Sequence, residues 1–364
     1  MRKILIHLKK IDWLMVISAL LLSLFGLLSI YSSSFYRADF SCFKKQVFFL
    51  TLGLFLMIIF SFFDWRIFQE NSYLILILYF LSCLSLLGLF FFAPSIRGTH
   101  SWYKWKDFAF HPVEFVKPVL IILLAKHFSL RHIEIYRLRH IFSSGLYFLL
   151  PAFLLFLQPD MGQVIIVVLI WLGMLVVSGI RLKQFLALVL IFLLVFLVGW
   201  FTVLKPYQKE RIISFVAPYY DPLGSSWSQN QSKIAIGSGG ILGQGIKKGG
   251  QTQLGFLSEP QTDFIFAAIA EETGLLGVSL LLFLFALLLW RIMRIAFFAQ
   301  KNFPRLFSVG FVILLFSQIF INVGMNLGIL PVIGVPLPFV SYGGSNLIAN
   351  FIVLGLIQNL IVNP

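Results

Sequence analysis

Residues 262–290 read TDFIFAAIAEETGLLGVSLLLFLFALLLW, and the fold turns on how that run is taken. As one helix from Asp263 to Trp290 it would be about 42 Å long, against a hydrocarbon core of about 30 Å. Its first two or three turns therefore project beyond the apolar slab or line a wet cavity, and a cleaner span begins at Gly274. Asp263, Glu271 and Glu272 then sit in a water-accessible vestibule at its mouth. Asp263 and Glu271 fall about 80° apart around such a helix, so they border one cavity without sharing a proton. Position alone favours the plainer role: Asp263 is a helix-start carboxylate stabilised by the helix dipole, with Thr262 as N-cap.

Composition generalises this reading. The 364 residues are 59% hydrophobic and 12% charged, with 42 Phe and a mean hydropathy of +0.95. A soluble domain carries about 25% charged residues, so the chain is an all-α integral membrane protein. Apolar runs long enough to span lie near 12–31, 43–63, 72–93, 113–128, 141–158, 162–180, 183–204, 264–292, 306–330 and 344–362. They predict ten transmembrane helices in a single polytopic domain, 1–364. The first run faintly resembles a signal peptide but is too long for one, which favours a retained helix. One side collects Arg2, Lys3, Lys9 and Lys10, Arg66, Lys126, Arg131, Arg137 and Arg139, Arg181 and Lys183, and Arg291, Arg294, Lys301 and Arg305. The opposite short loops hold only Arg37, Lys44, Lys45, Arg97, Lys104 and Lys106. The imbalance makes both termini cytoplasmic. It also accounts for the net charge of +14 without nucleic acid, for which no recognised module is present. Segment 205–262, between helices seven and eight, is the large extracytoplasmic loop. Its Trp227, Tyr219 and Tyr220 suggest that it is partly folded. Cys42 and Cys83 form no metal or redox motif.

Several polar groups interrupt this background. HPVEFVKP, 111–118, puts Glu114 and Lys117 on one helix face. An ionisable pair inside a span is functional by default or a structural ion pair, and Pro112 and Pro118 are expected to break regular hydrogen bonding there. RGTHSWYKWKDF, 97–108, offers Trp102 and Trp105 as interfacial belt residues or as a sugar platform. QPDMGQ, 158–163, is a tight turn that Asp160 serves. GSGGILGQGIKKGG, 237–250, lacks the spacing of a phosphate or dinucleotide loop. Lys247, Lys248 and Arg211 nevertheless bring cations near the acids, and Arg suits phosphate. GILPVIGVPLPFVSYGGSN, 328–346, has three prolines and the pair Gly343-Gly344, so it is an irregular segment packed in protein.

Taken in order, a Trp-bearing loop before PVEFVK, then QPDMGQ, AIGSGGILGQG, QTQLGF, TDFIFAAIAEETG and GVPLPFVSYGGS resemble the SEDS family (shape, elongation, division and sporulation) over nearly the whole chain. The KIAIGSGGILGQG to QTQLGF run favours its RodA branch. The resemblance implies a ten-helix glycosyltransferase of the bacterial cytoplasmic (inner) membrane. Such enzymes polymerise lipid II at the outer face, beside a class B penicillin-binding protein and other elongation-complex membrane proteins. It implies Asp263 as the essential catalytic carboxylate, acting as a general base, and Glu114, Lys117 and Trp102 as substrate-binding groups. Arg211, Lys247, Glu259, Glu271 and Ser341 are further substrate-binding candidates, while Asp160, Gly343 and Gly344 belong to the motifs. The chain departs from the family at Ser101, at His111-Pro112-Val113 and at Ser258 and Gln261, which puts the family's contacts at those places in doubt. Mg²⁺ or Mn²⁺ suits a diphosphate, but no dedicated metal cage and no organic cofactor is evident. A lipid flippase, a division polymerase and a non-enzymatic scaffold are the competing readings.

Overall fold

In the computed structural model the described residues are 7, 9–94, 101–106, 108–130, 138–217, 221, 224 and 226–362. Arg2, Lys3, Arg97, Arg131, Arg137, Tyr219 and Tyr220 lie outside them. The elements are α1 (Trp13–Arg37), α2 (Ser41–Ser61), α3 (Arg66–Glu70), α4 (Ser72–Phe92), the hairpin β1 (Tyr103–Trp105) and β2 (Phe108–Phe110), α5 (Val113–Ser129), α6 (Leu138–Leu157), α7 (Met161–Val177) and α8 (Leu182–Thr202). Then come α9 (Pro206–Val216), α10 (Trp227–Gly239), α11 (Gly250–Gln253), α12 (Ile265–Phe298), α13 (Asn302–Leu327) and α14 (Gly344–Val362). A helix occupies each of the ten apolar runs. Among the described residues, eight are long and apolar enough to cross a membrane; α5 and α7, at 17 residues each, are shorter.

Helix ends follow local chemistry. The Asp12 carboxylate accepts from Met15 N at 3.1 Å to start α1, and Asp160 accepts from Gln163 N at 3.4 Å to start α7, both N-caps. Gly328, left-handed at φ 75°, ends α13. Two sequence expectations fail at prolines. Pro112 occupies the N-cap position of α5, and the helix runs on through Pro118 without a break. Pro tolerates the start of a helix, and burial of nearly every later residue of α5 holds the rest.

The core is built around α13, α14 and α5, whose residues are mostly buried. Helices α2 and α14 pack most closely. A Cβ on Gly355 would come within 2.4 Å of the Met57 carbonyl, and one on Gly53 within 2.8 Å of the Phe351 ring. Small residues let membrane helices approach in this way. By contrast α8 has no buried residue. Its Leu188 and Phe192 pack against the core, the Phe192 ring lying 6.2 Å from those of Phe148 and Trp171, and an exposed helix that is apolar beyond its first turn suits lipid.

Contacts sort the connections to two ends. At one end His7 meets Ser61 at 3.1 Å, Lys126 Nζ donates to the Gln69 carbonyl, Trp65 stacks on Phe303, and Arg291 pairs with Asp12. The opposite end gathers the hairpin, the 158–163 turn, α10, α11, the start of α12 and segment 328–343. The 205–262 stretch is indeed partly folded, containing α9, α10 and α11.

Candidate active site

Asp263 does not begin a helix. It sits in a turn that closes when the Glu259 carbonyl accepts from Thr262 N at 3.2 Å and Phe264 N at 3.3 Å. Glu259 has φ +45°, and α12 starts at Ile265 with no side-chain cap from its own strand of sequence. Thr262 is therefore not the N-cap; its hydroxyl faces the Glu259 carboxylate at 3.5 Å. The cap comes from α13. Asn326 Oδ1 accepts from Ala267 N at 3.2 Å, satisfying a free N–H of the first turn. Asn326 Nδ2 and Asn322 Nδ2 donate to the Asp263 carbonyl at 3.0 and 3.1 Å. Both asparagines are fully buried. Their signal was legible as two amides one helical turn apart in an apolar run, which packing alone does not explain.

The fixed backbone leaves the Asp263 side chain half-buried. Its Oδ2 lies beside segment 328–343, 3.6 Å from where a Cβ on Gly334 would stand. That segment is tied to the same turn. Ser341 Oγ donates to the Thr262 carbonyl at 2.7 Å and accepts from Leu337 N at 2.9 Å, and Tyr342 N donates to the Gln261 carbonyl at 2.8 Å. Burial holds the Tyr342 phenol up at about 12, so it stays protonated at neutral pH. Gly344 is pressed on Phe49, whose ring is 2.5 Å from a Cβ there, whereas a Cβ on Gly343 would meet only Asn346 at 3.8 Å. Gly343 N is bonded to Gln46 Oε1 at 3.2 Å.

The irregular segment leads to a second cluster. Lys117 Nζ pairs with Glu114 Oε2 at 2.7 Å and donates to Gln163 Oε1 at 3.1 Å. Asn346 Nδ2 donates to the same Glu114 oxygen at 2.7 Å. The expected pairing on one helix face is present, and fully buried. His111, seen in the sequence only as a departure, lies between Glu114 Oε1 and Asp160 Oδ2, each at 3.6 Å. Its backbone N–H bonds Ser345 Oγ at 2.9 Å. Burial opposes the imidazolium, but the Asp160 and Glu114 carboxylates outweigh it and raise its pKa. Trp102 stacks on this imidazole, centroids 4.4 Å apart and 14° from parallel. Asp160 thus serves its turn and also reaches His111, at i−3 from Glu114, a spacing that could have flagged it.

The other acids are not in a wet vestibule. Gly274, at φ 63° and ψ −164°, breaks α12 in two, at the point where the sequence placed the start of the cleaner span. A break exposes peptide groups that must find partners. The glycine-rich loop supplies them. Gln244 N and Gly245 N donate to the Glu271 and Glu272 carbonyls at 2.9 and 3.0 Å, while Leu275 N and Leu276 N donate to Gly240 and Ile241 carbonyls at 2.9 and 3.2 Å. Only glycine fits at Gly243, where φ is +79° and a Cβ would fall 2.2 Å from the Glu272 carbonyl. Glu271 is fully buried and caps α11, accepting from Gln251 N at 2.7 Å and from Thr252 N and Oγ1 at 3.0 and 2.6 Å. Buried Glu272 meets the Ser32 hydroxyl and Lys247 N at 3.2 Å. Lys247 Nζ rests 4.6 and 4.3 Å over the rings of Tyr31 and Phe35. Arg211 is exposed on α9. The structure therefore joins Asp263, Glu259, Ser341, Glu114, Lys117, Trp102 and Asp160 through segment 328–346, and assigns Glu271 and the backbone of Lys247 to holding the glycine-rich loop.

Comparison with known proteins points one way. The profile of a family described as cell cycle protein, FtsW/RodA/SpoVE, matches residues 12–363. Stage V sporulation protein E of Bacillus subtilis is 37% identical, the match covering 96% of each chain. Peptidoglycan glycosyltransferase MrdB of Escherichia coli K12 is 34% identical over 96% of this chain and 93% of that one. A solved chain from a peptidoglycan synthase complex, described as coordinating polymerization and crosslinking, superposes with a TM-score of 0.81 at 31% identity, covering 97% of this chain and 98% of its own. The crystal structure of the rod shape determining protein RodA of Thermus thermophilus gives 0.72 at 28%, covering 97% of both.

Proposed function

The chain belongs to the FtsW/RodA/SpoVE family, and on that premise we propose that it is a peptidoglycan glycosyltransferase that polymerises lipid II at the outer face of the bacterial cytoplasmic membrane, serving elongation and shape in the manner of the RodA branch. The observation that carries this reading is Asp263: a half-buried carboxylate on a turn whose backbone two buried asparagines hold.

In the proposed topology all ten helices span, both termini are cytoplasmic, and the end carrying Asp263 faces outward. Transfer from an α-linked lipid diphosphate to a sugar 4-hydroxyl with inversion is a single displacement. The acceptor oxygen bonds to the anomeric carbon, the bond from that carbon to the diphosphate oxygen breaks, and Asp263 takes the hydroxyl proton. A carboxylate is a weak base for an alcohol, so its proton transfer is late and concerted. The departing diphosphate needs positive charge. Arg211 is exposed and available; Lys247 is half-buried on aromatic rings, and Lys117 is committed to Glu114. Among the described residues no group of three His, Cys, Asp or Glu side chains is placed to hold a metal ion. In this reading any Mg²⁺ or Mn²⁺ would arrive with the diphosphate, held mainly by its phosphate oxygens. The stacked Trp102–His111 pair offers an aromatic face to a sugar. The synthase complex among the structural neighbours supports a class B penicillin-binding protein as partner.

The test is purified protein, with and without a cognate transpeptidase, incubated with labelled lipid II. Asp263→Asn is expected to fold, insert and make no glycan. Near wild-type polymerisation by that variant would remove Asp263 from the mechanism, and lipid II crossing liposomes unextended would favour transport.

A further inference from the structure

At the end of α12 opposite Asp263 lies a recess of about 300 Å³. Arg291, Arg294 and Lys301 line it, with Asp12 as its one carboxylate among the described residues. Arg291 is already engaged: its Nε donates to Asp12 Oδ2 at 2.9 Å, and Gln358 holds the backbone of Asp12 on both sides. The other two cations meet no carboxylate among the described residues. Both are exposed and both lie over aromatic rings, Arg294 at 5.8 Å from Phe298 and Lys301 at 5.4 Å from Trp65. Apart from Gln300 the remaining wall is apolar, including Ile295, Pro304 and Leu360.

A recess with two uncommitted cations at its rim and apolar, aromatic walls matches an amphiphile with an anionic head. Arg presents a planar fork to phosphate oxygens, and basic pockets between membrane helices on the cytoplasmic side accept phospholipid headgroups. We propose that this recess binds a phosphodiester headgroup, that of an anionic phospholipid of the inner leaflet. The phosphate sits between Arg294 and Lys301, and an acyl chain lies along the Phe298 side. The Arg291–Asp12 pair is the fixed floor that joins α12 to α1. The choice of leaflet rests on the topology proposed above, in which this end is cytoplasmic; the binding test itself does not depend on polymerase activity.

The experiment is native mass spectrometry of the whole protein in mild detergent, titrated with phosphatidylglycerol, phosphatidylcholine or glycerol phosphate. Wild-type protein is expected to retain phosphatidylglycerol over phosphatidylcholine. Arg294→Gln and Lys301→Gln should each lower that retention about fivefold, while Arg294→Lys keeps most of it. All three variants should unfold at the wild-type temperature, since both side chains are exposed. Equal retention by the Gln variants, or no preference over phosphatidylcholine, would overturn the proposal. Displacement by millimolar glycerol phosphate would reassign the site to a soluble phosphate and overturn the lipid.

Discussion

Glu114 and Glu271 are the same side chain at the same depth, 3% and 0% exposed, and their surroundings differ in kind. Glu271 is surrounded by backbone and hydroxyl donors, and both its oxygens are occupied. Glu114 has one oxygen paired with Lys117 and hydrogen-bonded by Asn346; the other accepts no hydrogen bond among the described residues and faces His111 at 3.6 Å. A saturated carboxylate is architecture, here the staple for a loop that repairs a broken helix. A paired carboxylate with an open oxygen beside a stacked imidazole is poised to take another contact. Burial alone does not separate these two roles; the inventory of partners does.

The contrast can be broken most sharply at Lys117. Lys117→Met leaves Glu114 buried and short of its cation, a loss of about 3–5 kcal/mol. It should appear as a large fall in the thermal midpoint in detergent. Adding Glu114→Gln should restore most of that midpoint, since a neutral pair carries no stranded charge; no restoration would mean that the pair is not the unit. Glu271→Ala has no such compensating partner. It removes the acceptor for two backbone N–H groups and a hydroxyl, at about 1.5–3 kcal/mol. Hydrogen exchange should rise at 250–253 with the Asp263 turn still protected. If exchange rises equally at 262–267, the loop and the turn form one cooperative unit. Gly274→Ala forces φ 63° on a residue with a Cβ at about 1–3 kcal/mol, and should loosen the 240–245 pairing that Glu271 also supports. The smallest effect is expected at Gly343→Ala, within about 0.5 kcal/mol, because a Cβ there makes only an ordinary contact with Asn346. Gly344→Ala, against the Phe49 ring, should cost more. Equal effects at the two would show that the glycine pair matters for backbone freedom and not for packing.

Much of the fold was legible. Every apolar run holds a helix, the three prolines of 328–343 do keep that segment irregular, and Glu114 meets Lys117 as i, i+3 spacing requires. The expectation at Asp263 failed for a local reason with a distant cause. The T-D-F start looks like an N-cap, yet Asn326, 59 residues from Ala267 in sequence, provides the cap. Pro118 was read as a break because propensity counts the missing N–H, while burial on all sides of α5 overrides it. The glycine-rich stretch could be excluded as a nucleotide loop, but its partner could not be found until the break at Gly274 was placed beside it.

By itself the sequence determined what depends on the chain's own composition and short-range geometry: membrane residence, the positions of the helices, and which ionisable groups share a face. Run length and helical spacing are properties of neighbours in the chain, so they survive without knowledge of the fold. Only the tertiary structure decided which carboxylate is saturated and which is open, where the Asp263 backbone is anchored, and that Arg294 and Lys301 converge on one recess. Those outcomes turn on which distant donor reaches each unsatisfied group. In a low-dielectric interior an unmet polar group costs more than local propensity contributes, so the assembled helices, and not the nearby residues, settle it.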